Sequence, residues 1–498
     1  MVSILSDYLS RIMSAPPIER QSMISLFSMV VLTFFGYLAT FYFAHVLGPA
    51  ILGGYFLFLA YYGIFDLIGD GGFGGAAIKR ISEGRERDEF FSAFIALRVI
   101  LLCGAITLLT LAHPYLVDLS EAGLFLPLLI AIITGSFYSS MYAGNYGQGK
   151  IGINKAGELL NFFARVIVQV SAVFLGYGLG GLFGGFIAGM LTGGFLLFRF
   201  LDLQLTRFSR YHLASLLSFS FWIFLTAGGN LVFSISDVIL IGYFMTNADV
   251  GIYRTALQLT SIATFATIAL QGVLYPRISE WGVKGELERI QNSLSRAFSY
   301  AFLLAIPVCI GGWALGDLLL FYLYGAAFQA GAAALYILLL MQVINVFMYF
   351  HIMSLNALNR PRDSFQSTAI AATANIGLNI AFIPLFGILG AALATSAAMG
   401  VNTWLSRRYL RRIITLSLDQ KTIVHILTAA IAMGVLVVAL RLLIPLTSAI
   451  PLGAIVVAGA LVYFILLFRL NPGFYRDIRD MVRQIGGPWP HWLDLYFT

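Results

Sequence analysis

ISLFSMVVLTFFGYLATFYFAHVL, residues 24–47, runs without a single Asp, Glu, Lys or Arg. A helix of about 20 apolar residues crosses the hydrocarbon core of a bilayer, so this stretch alone predicts a membrane span. Working outward, further apolar runs fall near 52–78, 92–113, 123–145, 159–177, 181–201, 214–243, 250–276, 297–320, 331–357, 365–386, 388–406, 423–443 and 449–469. The expected fold class is all-α integral membrane, with about 14 transmembrane helices.

Composition points the same way. Of 498 residues, 59% are hydrophobic and 11% charged, with a mean hydropathy of +0.88. A soluble domain carries about 25% charged residues, and an apolar surplus of this size has to face lipid. The net charge of +7 does not indicate nucleic acid, because the Lys and Arg lie in short breaks between apolar runs and not on one basic soluble module. Their distribution reports orientation instead. With the N-terminus inside, 26 of the 30 Lys and Arg fall on the inner side, including KRISEGRERDE (79–89), Arg407–Arg412 and a tail with Arg476, Arg479 and Arg483. Arg441 is assigned to the outer side, and Arg98, Arg165 and Arg254 to the spans. A multi-pass protein of the cytoplasmic membrane, with both termini cytoplasmic, follows.

The connections between runs, such as VLGPAIL (46–52) and GYGLGGL (176–182), are a few residues long. None has room for a folded catalytic domain, so an enzyme of the membrane glycosyltransferase type is not expected. Cys103 and Cys309 both lie in apolar runs and read as small buried hydrophobes, neither a disulfide nor a metal site. No cofactor and no metal are expected. Residues 1–23, interrupted by Pro16 and Pro17, read as an amphipathic cytoplasmic lead-in, and the terminal PWPHWLDLYF (488–497) as an interfacial aromatic anchor.

The chain also repeats itself. Gly53-Gly54-Tyr55 opens the second run and Gly251-Ile252-Tyr253 the eighth; Ile78–Glu83 closes the second as Tyr275–Glu280 closes the eighth. Gly178 and Gly181 open the sixth as Gly387 and Gly390 open the twelfth. A spacing of six helices is even, so the halves share a topology and are expected to be related by a pseudo-twofold along the membrane normal. The expected organisation is a first lobe at 24–210, a second at 211–412, two added helices at 413–470 and a tail at 471–498, with substrate in the cleft between the lobes. Glycines inside the runs serve close packing or mark bends, as at Gly71-Gly72 and Gly228-Gly229.

Three stretches carry a family likeness: IFDLIGDGGFGGAAIKRISEG (64–84), NADVGIYRTALQLTSIATFATIALQGVLYPRISE (247–280) and NRPRDSFQSTAIAATANIGLNIAFIPLFGILGAALATSAA (359–398). The chain resembles the polysaccharide biosynthesis flippases of the multidrug/oligosaccharidyl-lipid/polysaccharide exporter superfamily. The resemblance implies six plus six plus two helices and alternating access by two lobes. It also implies transport of a polyprenyl-(di)phosphate-linked oligosaccharide or polysaccharide precursor. The alternative within the same superfamily is a cation-coupled drug or metabolite antiporter. Lipid II flippase relatives and cation-coupled exporters carry charged residues in the first helix, and none occurs here between Gln21 and Ala44. The partners implied are a lipid-linked sugar and membrane lipids, with glycan-assembly enzymes besides; a monomer is expected.

A charge at mid-bilayer costs at least about 2.5–3.5 kcal/mol, so each one inside a run needs a reason. Asp237 and Arg254 are placed at similar depth near the outer side. They read either as a structural ion pair or as a cavity cation for the carrier phosphate held by its carboxylate. Arginine suits the second role because its planar fork grips phosphate oxygens in pairs. In the family, helices one, two, seven and eight line the cavity, which the resemblance uses to favour Arg254. Asp70 and Arg98 flank the inner turn between runs two and three, as an ion pair or with Arg98 as a second phosphate contact. Asp66, one turn from Asp70, has no evident neighbour in sequence; it reads either as a carboxyl kept protonated or, with Asp70, as a candidate coupling-ion site for a proton or sodium. Arg165, taken to lie two turns into run five, is a snorkelling cation or a further substrate contact.

Overall fold

Two residues decide how the longest helices are divided. Gly48 (φ 74°, ψ 177°) and Gly387 (φ 60°, ψ −140°) are left-handed or extended breaks inside otherwise continuous helices Pro17–Asp70 and Pro361–Leu410. A helix rises about 1.5 Å per residue, so the latter, at 50 residues, would be about 75 Å long if straight. That is more than twice a ~30 Å hydrocarbon core. Twelve helical stretches are long and apolar enough to cross a membrane. The breaks at Gly48 and Gly387 turn two of them into four, which makes fourteen crossings among the described residues. The computed structural model describes residues 17–115, 123–416, 418–446, 448–476 and 479. Most of the lead-in, together with Arg483 and the PWPHWLDLYF terminus, lies outside the described residues.

In chain order the helices are α1 (Pro17–Asp70), α2 (Phe73–Ser82), α3 (Arg87–Ala112), α4 (Phe125–Gly147), α5 (Ile151–Phe174), α6 (Gly178–Arg199) and α7 (Arg210–Phe244). They continue with α8 (Asn247–Thr260), α9 (Phe265–Lys284), α10 (Leu287–Tyr324), α11 (Ala332–Ala357), α12 (Pro361–Leu410), α13 (Gln420–Leu443) and α14 (Ala449–Leu470). No strand occurs among the described residues. In lipid every backbone N–H and C=O has to be satisfied within its own segment, and a helix does that. A 3₁₀ turn at Ser261–Thr264 interrupts the eighth crossing between α8 and α9. Gly228 and Gly229 lie inside unbroken α7.

The chain forms two compact units that divide between Gly251 and Ile252. In the first, α7 packs against α1, α2 and α3, although the sequence division assigns its residues to the second lobe. Phe73, Phe90, Phe91, Phe94, Met141 and Leu197 form a core at one end of the bundle. Lipid tails are as apolar as leucine, so helices here associate by close packing and hydrogen bonds. The α5–α6 hairpin is built on that rule. Gly181, Gly185, Gly189 and Gly193 recur every fourth residue on α6 and lie against α5. A methyl at Gly189 would lie 2.6 Å from the Asn161 carbonyl oxygen, and one at Gly193 2.9 Å from that of Gly157.

In the second unit α13 and α14 share one core with α10. Ile426, Ala430, Met433 and Val437 meet Ala301, Phe302, Tyr463 and Leu467 there, and the Tyr463 hydroxyl donates to the Leu303 carbonyl at 2.9 Å. Arg441, expected on the outer side, occupies the last turn of α13. It grips Asp317 of α10 with two bonds of 2.9 and 2.8 Å. The repeat noticed in sequence has a local counterpart in each unit. Gly178 and Gly387 both take positive φ (52° and 60°), and the glycine three residues on, Gly181 or Gly390, packs onto the preceding helix.

Candidate functional site: charges held inside the first unit

The local build begins at Gly71 and Gly72, whose φ values of 56° and 78° end α1 and restart the chain as α2. Glycine reaches this left-handed region without steric cost. At Gly72 a side chain would also strike the backbone of Ser220 and Phe224 on α7. The break leaves Asp70 at the last position of α1, where its Oδ1 accepts from the Gly74 N–H at 3.2 Å. A carboxylate here satisfies an orphan donor and faces the positive end of the α2 dipole.

Arg98 of α3 reaches the same point. Its guanidinium donates to Asp70, lies 3.6 Å from Asp66 Oδ1, and donates through Nε to Ser136 Oγ at 3.0 Å and through Nη2 to Ser139 Oγ. The Arg98 side chain is only 3% exposed, whereas Asp66 and Asp70 keep 31% and 25%. Three helices thus converge on one guanidinium: α1 through Asp66 and Asp70, α3 through Arg98, α4 through the serines. Two carboxyl groups face one cation, so the cluster holds one acid more than it has bases. Every nitrogen of Arg98 already has a partner, and a phosphate would have to displace one of them. The serines were missed in sequence. Their signal was the polar triplet Ser136, Ser139 and Ser140 in an apolar run, two of them at i, i+3 on one face.

Arg165 is in a different situation. Because α5 begins at Ile151 and not at 159, Arg165 lies fourteen residues in, or about 21 Å. That is four turns, past the middle of a 24-residue helix whose first turns carry Lys155 and Glu158. Its guanidinium lies over the Phe162 ring at 5.5 Å, and Gly189 makes room for its Cβ. Among the described residues it has no hydrogen bond or ion pair. Nearby, buried Gln169 donates to the Tyr55 hydroxyl at 2.9 Å and to the Leu182 carbonyl at 2.8 Å, tying α5 to α1 and α6.

The remaining candidates are distributed over both units. Asp237, on α7 in the first unit, is 3% exposed and accepts from the Ser236 hydroxyl at 3.4 Å. Arg254 lies on α8 at the start of the second unit, half-buried, seven residues before the Ser261–Thr264 turn. No group of three or more His, Cys, Asp or Glu suited to a metal ion occurs among the described residues.

A long-helix membrane bundle with charges inside its spans now has to be placed among known proteins. The sequence pattern of the family described as "Polysaccharide biosynthesis protein" matches residues 20–281, more than half of the chain. The chain belongs to that family. It is 28% identical over 451 residues to the probable low-salt glycan biosynthesis flippase Agl15 of Haloferax volcanii. That match covers 89% of this chain and 94% of the relative. It is 26% identical over 476 residues to the probable flippase AglR of the same organism, covering 94% and 99%. Among solved structures, the lipid II flippase MurJ in an inward closed conformation superposes with a TM-score of 0.75 at 18% identity, over 90% of this chain and 99% of that one. An inward-facing multidrug resistance MATE family transporter gives 0.60 at 14% identity, over 77% and 95%. At these identities the two structures show a shared fold. The expected family, fold class and multi-pass membrane nature all stand.

Proposed function

We propose that this chain is a flippase that carries a polyprenyl-(di)phosphate-linked saccharide across the cytoplasmic membrane by alternating access. The single observation that carries the reading is the end-to-end match to two probable flippases, of which the chain covers 94% and 99%. The two units that divide between Gly251 and Ile252 act as the moving bodies, with 413–470 part of the second. No chemistry is performed on the substrate, both termini are cytoplasmic, and the protein works as a monomer beside the enzymes that assemble its glycan.

The charges divide the work. Arg254, Arg165 and Asp237 are the candidates for contact with the substrate, and Arg98 serves as the positioning residue that holds Asp66 and Asp70. The second acid of that cluster, in excess of its one base, supports Asp66 and Asp70 as the place where a coupling proton or monovalent cation binds.

The test is translocation in proteoliposomes holding purified full-length protein. A fluorescent short-chain polyprenyl-phosphate saccharide should reach the opposite leaflet, and a panel of cationic dyes should not be taken up. Arg254→Ala should abolish translocation at unchanged protein yield; undiminished transport in that variant removes Arg254 from the site. Dye uptake without saccharide movement would favour the antiporter reading that the MATE-like fold also supports.

A further inference from the structure

The strongest unassigned feature lies in the second unit, at the end of α12. Arg407 and Arg408 occupy the last turn of that helix and Arg411 and Arg412 follow directly. None of the four has an ion pair among the described residues. Basic residues at a helix C-terminus complement its dipole, and a basic cluster at a span end sets orientation; neither effect requires a cavity. Yet a cavity of about 300 Å³ opens here, with Arg407 and Arg411 in its lining. Spaced i, i+4, these two share one face. The rest of the lining is mostly apolar, including Phe298, Phe347, Leu410 and Ile414. Buried His351 also lines it, 3.4 Å from the Ser406 hydroxyl. Arg408 and Arg412 are held otherwise, over the rings of Trp404 and Tyr409 at 5.7 and 5.4 Å.

A cavity with an apolar wall and two uncompensated guanidiniums, at the end of a membrane span, matches an amphiphile with an anionic head. Guanidinium forks suit phosphate oxygens, and basic pockets between transmembrane helices are where phospholipid head groups are held. The volume is at the lower end of the range for ligand sites, enough for a head group and the first part of one chain. We infer that this cavity binds one anionic phospholipid of the surrounding leaflet, its phosphate on Arg407 and Arg411 and a chain against Phe298 and Phe347. The inference is independent of the transport reading, since it concerns the bilayer lipid and not the cargo.

The experiment uses the full chain reconstituted in nanodiscs of phosphatidylcholine with 10-fold less phosphatidylglycerol, then extracted in mild detergent and examined by native mass spectrometry. One retained phosphatidylglycerol per protein is expected, with no equivalent phosphatidylcholine. Arg407→Gln with Arg411→Gln should cut retention at least about tenfold, as loss of two cations at a charged surface implies, while Arg408→Gln with Arg412→Gln should leave it within about twofold. Should the first variant fold poorly, competition on the unaltered protein decides. Soluble glycerol phosphate should fail to displace the lipid, because it lacks the chain. Displacement by glycerol phosphate, equal loss in both double variants, retention of both lipids alike, or replacement by undecaprenyl phosphate at equimolar level would each overturn the assignment, the last by making the cavity a cargo site.

Discussion

Arg98 and Asp66 stand 3.6 Å apart, and the same guanidinium also pairs with Asp70 one helical turn away. One buried cation therefore holds two carboxylates that would otherwise repel each other across a turn. Arg98→Ala strips both of their partner, and breaking a buried pair in this way costs about 3–5 kcal/mol, with the partial exposure of the acids favouring the lower end. A clear fall in melting temperature in detergent is expected, relieved in part by adding Asp70→Asn. An unchanged melting temperature would show that the cluster contributes nothing to the fold.

Asp66→Asn is the complementary change. It removes the acid in excess and leaves the Arg98–Asp70 pair intact, so stability should hold within about 1 kcal/mol. Transport in proteoliposomes should then lose its dependence on the imposed proton or sodium gradient. Retained gradient dependence would remove Asp66 from the coupling site.

Arg165 gives a prediction of opposite sign. A guanidinium inside a span without a hydrogen bond or ion pair is a cost that the fold carries, up to about 2.5–3.5 kcal/mol at mid-bilayer on insertion scales. Arg165→Leu should therefore raise the melting temperature while lowering saccharide translocation at least about tenfold, the trade between stability and function expected at a working site. A structural role predicts the reverse for stability.

Gly53 tests close backbone approach. A methyl there would run into the Asn247 carbonyl, and one at Gly251 into the Pro49 carbonyl, so each glycine is packed against bare backbone. Gly53→Ala should cost about 1–3 kcal/mol through overpacking. Gly104→Ala, where nothing lies within 4 Å, should be neutral or stabilise by up to about 1 kcal/mol. Parallel thermal melts of the two variants make the comparison.

Two polar contacts organise the added helices. Arg441 joins α13 to Asp317 of α10 by paired bonds of 2.9 and 2.8 Å, and a double-mutant cycle should return a coupling of about 1–3 kcal/mol. At the other end of α13, Asp419 accepts from the Thr422 hydroxyl at 2.6 Å, which holds its carboxyl below the usual range. With a lowered folded value, its stabilising contribution is complete above the ordinary carboxyl range near 4 and is lost as pH falls through the lowered value. Asp419→Asn should flatten that acid limb of the melting profile.

Much of the molecule was legible before any coordinates. The number of crossings and their approximate limits followed from apolar runs and loop charge, because a bilayer imposes one length and one backbone solution on every span; the family followed from the resemblance carried by residues 64–84, 247–280 and 359–398. The paired glycines Gly178 and Gly387 were already conspicuous, since a chain that must take positive φ has little choice of residue. Three things depended on tertiary structure. Asp66 acquired a partner only when α3 packed beside α1, and Ser136 and Ser139 joined it from α4. Asp317, unnoticed among the residues of its run, acquired meaning through Arg441, 124 residues away. Arg165, two turns into its apolar run, is four turns into α5, because the helix begins eight residues before that run. Hydropathy is a local property and fixes which segments leave water; which charge meets which is settled by helix packing, where a rotation of one residue moves a side chain by about 100° around the axis.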